Sequence, residues 1–212
     1  LSVLLNDERN CELKKDNMIL AKWFSRIYKW AVQPMTHLIN CLKFKMNGFC
    51  YSEGFETAGL IGIYGRTGTM ALGKNVKINS ASWANPIGGS TQTQFQLLGG
   101  NIIIGDNVGL SNVAITCKTG VTIGNRTMIG AGTVIYDTDF HPIDPQRREC
   151  FQEAKSKPVI IEENVFVGAQ CIILKGSCIG RNSVVGAGSV VSANIPENEV
   201  WAGNPARFVR KI

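Results

Sequence analysis

The stretch IEENVFVGAQCIILKGSCIGRNSVVGAGSVV, Ile161 to Val191, decides the fold. An aliphatic residue recurs in it every six positions: Ile161, Val167, Ile173, Ile179, Val185 and Val191. The same frame runs through Ile123, Ile129 and Ile135, through Ile104 and Leu110, and more weakly at Leu72 and Ile78. The next position is often glycine, as at Gly73, Gly105, Gly124, Gly130, Gly168, Gly180 and Gly186. Four positions on comes a small or β-branched residue: Val108, Thr127, Thr133, Val165, Cys171, Ser177, Ser183 or Ser189. In most units the third residue after the aliphatic is Asn75, Asn107, Gly132, Asn164, Gly176, Asn182, Gly188 or Asn194. Glycine and asparagine are the residues that tolerate positive φ. One left-handed residue per hexad makes one corner per hexad, so each unit is a short strand plus a corner. Three units make a triangular coil of about 18 residues. The aliphatics then point inward and stack at about 4.8 Å per coil. A single coil cannot bury its apolar side alone, so stability comes from stacking. The expected fold is an all-β solenoid.

The bulk numbers agree. The chain has 212 residues, 44% of them hydrophobic, only 18% charged, and 23 glycines. Such a composition suits turns and buried strands better than exposed helices. The net charge is +6, and the first 50 residues supply +4 of it: Arg9, Lys14, Lys15, Lys22, Arg26, Lys29, Lys43 and Lys45 against Asp7, Glu8, Glu12 and Asp16. The ending ARFVRKI adds three cations. Basic ends without a continuous stripe favour an anionic small ligand or a membrane surface over nucleic acid. Seven scattered cysteines argue against a disulfide framework and for a reducing, cytoplasmic setting. No apolar run approaches a bilayer span, and no signal peptide is visible.

Residues 1–50 lack the six-residue rhythm. Leu20, Trp23, Phe24, Ile27, Trp30 and Ala31 form one helical face, and Lys22, Arg26, Lys29 and Gln33 form the other. Asp16 or Asn17 caps the start; Pro34 ends the helix or opens a second one, which stops near Asn47-Gly48. Two settings suit this segment: packing on the first coil or a neighbouring subunit, or lying on an anionic membrane. The solenoid is expected over 51–206, with loops at 79–100 and 137–158 and a basic tail at 207–212. Insertions in a solenoid emerge as loops, often on the binding side.

The aliphatic–Gly–x–x–small–x pattern resembles the hexapeptide-repeat acyltransferases from roughly Gly59 to Ile212. The resemblance implies a left-handed winding, against the usual right-handed crossover rule. The competing reading is a solenoid without chemistry that binds a partner. Carbonic anhydrases on the same helix need three histidine ligands for zinc. This chain has two histidines and no metal-ligand cysteine spacing, so no metal is expected.

The segment DTDFHPIDPQRR, Asp137 to Arg148, looks like the histidine loop of the galactoside and maltose O-acetyltransferase branch. There the histidine is the general base, and His141 occupies its position. A hydroxyl is a poor nucleophile near neutral pH. A neutral imidazole can take its proton as the oxygen attacks a thioester carbonyl. If Asp137 to His141 is extended, Asp137, Asp139 and His141 share a side. Asp139 would then orient the ring, hold a sugar hydroxyl or merely cap a turn, and Asp137 is expected near the substrate. An asparagine of the preceding coil binds the acceptor in that branch; in GLSNVAIT both Ser111 and Asn112 fit. In the loop 79–100, Trp83 and Phe95 offer an aromatic platform for a sugar. His37 is read as structural or exposed.

The resemblance also implies acetyl-CoA as co-substrate. By motif, Phe166 stands near the thioester end, where a tryptophan is more usual. Gly168, Ala169, Gly186, Ala187 and Ser192 would line the pantetheine arm, with corner geometry as the alternative for the glycines. Arg207 and Arg210 would meet the nucleotide phosphates as charge-assisted donors, or belong to a solvated tail. The family's sites lie between subunits of a homotrimer. The expected activity is O-acetyl transfer to a carbohydrate hydroxyl. The same machinery on an amino-sugar nitrogen, serine or an antibiotic hydroxyl is the alternative.

Overall fold

The computed structural model describes residues 23, 26, 27 and 30–212. Asp16, Asn17, Leu20, Lys22, Phe24 and Lys29, named above for the start and faces of the helix, lie outside these residues. Helix α1 runs over 30–46. It passes through Pro34, so the helix is continuous there instead of dividing into a pair. Proline removes one amide donor, and packing of the following turns offsets that local loss. The helix stops as expected at Gly48, whose φ is 70°.

The strands form three parallel faces that the chain visits in turn. The first face carries Gly120–Ile123, Val159–Ile161 and Cys178–Ile179. The second carries Glu56–Ala58, Lys77–Asn79, Gly109–Ser111, Met128–Ile129, Phe166–Val167, Val184–Val185 and Glu199–Ala202. The third carries Ala114–Cys117, Val134–Tyr136, Ile172–Ile173 and Val190–Val191. Two long strands, Gly62–Leu72 and Gln94–Ile104, begin on the third face and bend onto the first. The first of them bends at Gly65, where φ is 76° and a Cβ would lie 2.0 Å from the Leu97 carbonyl oxygen, so only glycine fits.

The repeat sits where the sequence puts it. Ile161 pairs with Ile179, Val167 with Val185 and Ile173 with Val191, each in parallel register. All six side chains are buried. The small residues are buried as well, and their hydroxyls are satisfied within the stack. Thr133 Oγ1 donates to the Gly168 carbonyl at 3.1 Å, and Ser177 Oγ to that of Val191 at 3.2 Å. Asn75, Asn107, Asn164 and Asn182 take positive φ, and their amides form ladders along the corner, Asn164 to Asn182 at 2.9 Å and Asn182 to Asn198 at 2.8 Å. Asn194 is the exception. It is not left-handed, and its side chain accepts from the Cys178 amide instead.

The first loop is shorter than expected, and the strand stack runs further toward the carboxyl end. Only 80–93 leave the stack in the first interruption, because 94–104 return as a strand. Its stem is closed by Ser80, which accepts from the Thr93 amide at 2.9 Å. The tail is no tail: Arg207–Lys211 pairs antiparallel with Glu199–Ala202 and ends the second face. Helix α1 closes the opposite end. Phe44 packs on Phe49, Tyr51 and Phe55, and the Asn40 amide donates to Thr57 Oγ1 and the Gly59 carbonyl. All of these partners belong to the first circuit.

Candidate active site

The second interruption, 137–158, leaves the third face after Tyr136 and returns to the first face at Val159. Its root is Asp137, which is fully buried. The carboxylate accepts from the amides of Lys118, Thr119 and Gly120 and from Thr119 Oγ1, at 2.6–2.8 Å. This corrects the expectation that Asp137 faces substrate: all its acceptor capacity is used inside. Burial, with the neighbouring Asp137 charge second, pushes the Cys117 thiol up to about 12. Thr138 bridges antiparallel to Ser156, and the Asp139 amide donates to the Lys155 carbonyl at 3.0 Å.

Asp139 does not orient the histidine ring. Its Oδ1 pairs with Lys175 Nζ at 2.7 Å, and its Oδ2 is buried without a hydrogen-bond partner. Phe140 takes φ of 62°, rare for a bulky residue, and its ring packs on Tyr136 at 5.5 Å. That turn sends His141 outward to the surface.

The His141 ring is held by two groups that the sequence did not mark. Phe151 packs against it edge-on at 4.9 Å, and its Nδ1 lies 3.1 Å from the Arg148 carbonyl oxygen. A carbonyl oxygen can only accept. Nδ1 therefore carries the proton, which leaves the Nε2 lone pair free. A cleft of about 400 Å³ opens beside the ring, lined by Leu98, Lys118, Thr138, Phe140, Phe151 and Gln152. Lys118 braces one wall by donating to the carbonyls of Phe151, Gln152 and Ala154. The arrangement holds an oriented imidazole at the rim of a hollow with aromatic walls.

The other candidates stand elsewhere. His141, Asp139 and Ser192 occupy the corner between the third and first faces. Ser111, Asn112, Ala169, Gly186, Ala187 and the excursion holding Trp83 occupy or border the corner between the second and third. Phe166 projects from the second face, exposed. Arg207 and Arg210 are exposed on the last strand of that face, each donating only to a backbone carbonyl nearby. Ser111 accepts from the Asn79 amide at 3.2 Å. Asn112 is a buried, left-handed corner residue that donates to the Thr91 carbonyl, with its Oδ1 unpartnered. Trp83 is half-buried within the excursion. Phe95 is fully buried among the core aliphatics, at an inward position of its strand, and so cannot form a platform. His37 is structural, its Nδ1 3.3 Å from Thr57 Oγ1.

The glycines answer to the stack. A Cβ on Gly168 would lie 2.5 Å from the Ala187 amide nitrogen, and one on Gly186 would lie 2.8 Å from Ala202 Cβ. Gly168 is buried, whereas Ala169 and Gly186 are half-exposed and Ala187 is exposed at this corner. Gly168→Ala should therefore destabilise the fold by about 1–3 kcal/mol through overpacking against the next circuit. Thermal melting checks this. An unchanged melting temperature with weaker coenzyme binding would show instead that the glycine serves only ligand approach.

Comparison with known proteins supports the resemblance seen in the repeat. Residues 158–193 match a family model described as the hexapeptide repeat of succinyl-transferase. The chain is 44% identical over 101 residues to a galactoside O-acetyltransferase of Lactococcus lactis, covering 48% of each chain. It is 37% identical over 120 residues to the putative lipopolysaccharide biosynthesis O-acetyl transferase WbbJ of Escherichia coli, covering 53% of this chain and 61% of that one. The chain thus spans about half the length of the curated relatives it matches. Among solved structures, a galactoside acetyltransferase in complex with coenzyme A is similar at 28% identity and a TM-score of 0.56, covering 81% of this chain and 68% of that one.

Proposed function

We propose that this chain is an acetyl-CoA-dependent O-acetyltransferase that acts on a carbohydrate hydroxyl, built on a left-handed parallel β-helix and working in the cytoplasm. The observation that supports the reading is the placement of the His141 ring beside the cleft, with Nδ1 3.1 Å from the Arg148 carbonyl oxygen, so that Nε2 is left to act as the base. Nε2 takes the proton of the sugar hydroxyl as its oxygen attacks the thioester carbonyl. The carbon–oxygen bond forms, the carbon–sulfur bond breaks, and the imidazolium returns the proton to the departing coenzyme thiolate. Leu98, Phe140 and Phe151 give an apolar wall against which one face of a sugar ring packs. Asn112 and Ser111 are proposed on the acceptor side, and Asp139 acts by fixing the segment through Lys175.

The base stands at the corner between the third and first faces, and the proposed coenzyme residues, Ser192 apart, stand on the second face or at its corner with the third. A strand of three or four residues spans about 10–13 Å. A homotrimer that sets one corner of a subunit beside the other corner of its neighbour brings the two sets together. Phe166, Ala169 and Ala187 then line the pantetheine arm, with Ser192 further along and Arg207 and Arg210 on the phosphates.

Thiol release from acetyl-CoA, measured across galactosides, oligosaccharides and nucleotide sugars, tests the reading. Sugar-dependent release with an ester on the product is expected. Acetyl found on an amino-sugar nitrogen would favour the alternative acceptor class. No acceptor-stimulated release would sink the proposal.

A further inference from the structure

Helix α1 buries one stripe and exposes another. Thr36, Asn40 and Phe44 are buried on the first circuit, and Lys43 Nζ donates to the Ile61 carbonyl at 2.9 Å. The opposite stripe, Met35, Leu38, Leu42 and Met46, is exposed, with Met46 at 85%. Towards the amino end Trp30 is 82% exposed, and Trp23 and Ile27 are exposed too. The three hydrogen bonds of the Asn40 side chain, to Thr57, Gly59 and Ile61, prevent the helix from rolling this stripe inward. An apolar stripe of this length on a soluble surface calls for a partner.

The charge pattern selects that partner. Residues 17–52 contain no Asp or Glu, and of the helix's cations Lys45 is exposed at the edge of this stripe while Lys43 is turned to the first circuit. A second copy laid symmetrically on the stripe would bring like charges together. An anionic lipid surface supplies the missing counter-charge and takes the apolar side chains between its headgroups. Exposed tryptophans suit that boundary, where one end of the ring is apolar and the other wet. Among the described residues no helix is long and apolar enough to cross a membrane. The helix would lie in the interface plane.

We infer that α1 seats the protein on an anionic bilayer, with the strand stack standing end-on above it. The helix touches only the first circuit, so its outward stripe faces away from the stack. Tyr64, Gln96, Thr116 and Tyr136 follow one another in register, which places the root of the His141 segment three spacings from the capped end. Three spacings are about 14 Å, and the helix adds about 10 Å. The His141 cleft thus stands about 25 Å above the lipid. That height suits an acceptor saccharide attached to the same membrane, a corollary that rests on the transferase reading; the docking itself does not.

Co-sedimentation of the full chain with vesicles, without acetyl-CoA, tests the docking. Vesicles of phosphatidylcholine with phosphatidylglycerol should bind it at least about tenfold more tightly than phosphatidylcholine alone, and added salt should weaken that binding. The exposed-site variant Leu38→Glu/Leu42→Glu should lose at least about tenfold in binding while keeping the wild-type melting temperature. Absence of binding to the anionic vesicles at low salt overturns the proposal. So does equal binding by the variant, or a wild-type oligomer that the variant dissociates while vesicles are ignored. Because no acetyl transfer enters the readout, failure here leaves the transferase reading standing, and the reverse holds.

Discussion

Replacing His141 by alanine is expected to lower the turnover of acetyl transfer by about 10²–10⁴-fold, the usual contribution of a positioned general base. The melting temperature should move by no more than about 2 °C, because the ring is at the surface, held by Phe151 and the Arg148 carbonyl. His141→Asn sharpens the test. An amide can still donate to the Arg148 carbonyl and keep the segment in place, yet it offers no basic lone pair. Asparagine should therefore lose as much turnover as alanine does. Coenzyme binding should persist in both variants, since the proposed coenzyme residues other than Ser192 sit on the second face or at its corner with the third. A His141→Asn enzyme with nearly full turnover would mean that the ring only positions substrate. The acceptor would then have to be activated by another group.

The architecture was legible because one constraint repeats. Ile161 to Val191 set the inward column, and the asparagines and glycines set the corners, so each circuit restates the same prediction. Legibility fails where a residue's role depends on something outside its hexad. Asn194 looks like a corner residue, but its side chain is taken by the Cys178 amide one circuit below. Phe95 sits in a polar, glycine-rich stretch that reads as loop, yet its strand pairs on both sides with neighbouring circuits and turns the ring inward. His141 was found through its loop motif. What orients it was not found, because a backbone carbonyl seven residues on has no sequence signature. Phe140 carried no signal either, since the left-handed backbone that aims the histidine is normally given to glycine or asparagine. The expected pairing of Asp139 with His141 assumed an extended segment. The turn at Phe140 breaks that alternation, and Asp139 reaches Lys175 instead.

Asp137 should carry the largest stability effect outside the aliphatic core. Its carboxylate satisfies three backbone amides and one hydroxyl in a fully buried corner. Its own carbonyl accepts from the Lys157 amide at 2.9 Å, so one residue ties both roots of the 137–158 segment to the preceding circuit. Asp137→Ala leaves those donors buried without an acceptor. The cost should be about 3–5 kcal/mol, as for other buried charges whose network loses a member. For a chain of this size that corresponds to a fall in melting temperature of roughly 6–20 °C. Asp137→Asn should fall between, because its oxygen still accepts while its amide meets donors head-on. Transfer activity, measured well below the lowered melting temperature, should drop in step with the loosened segment that carries His141. An Asp137→Asn protein that melts like the wild type but cannot transfer acetyl would contradict this account. The carboxylate would then serve the substrate, as the sequence alone suggests, and the anchoring of the segment would have to come from Lys175 and Lys118.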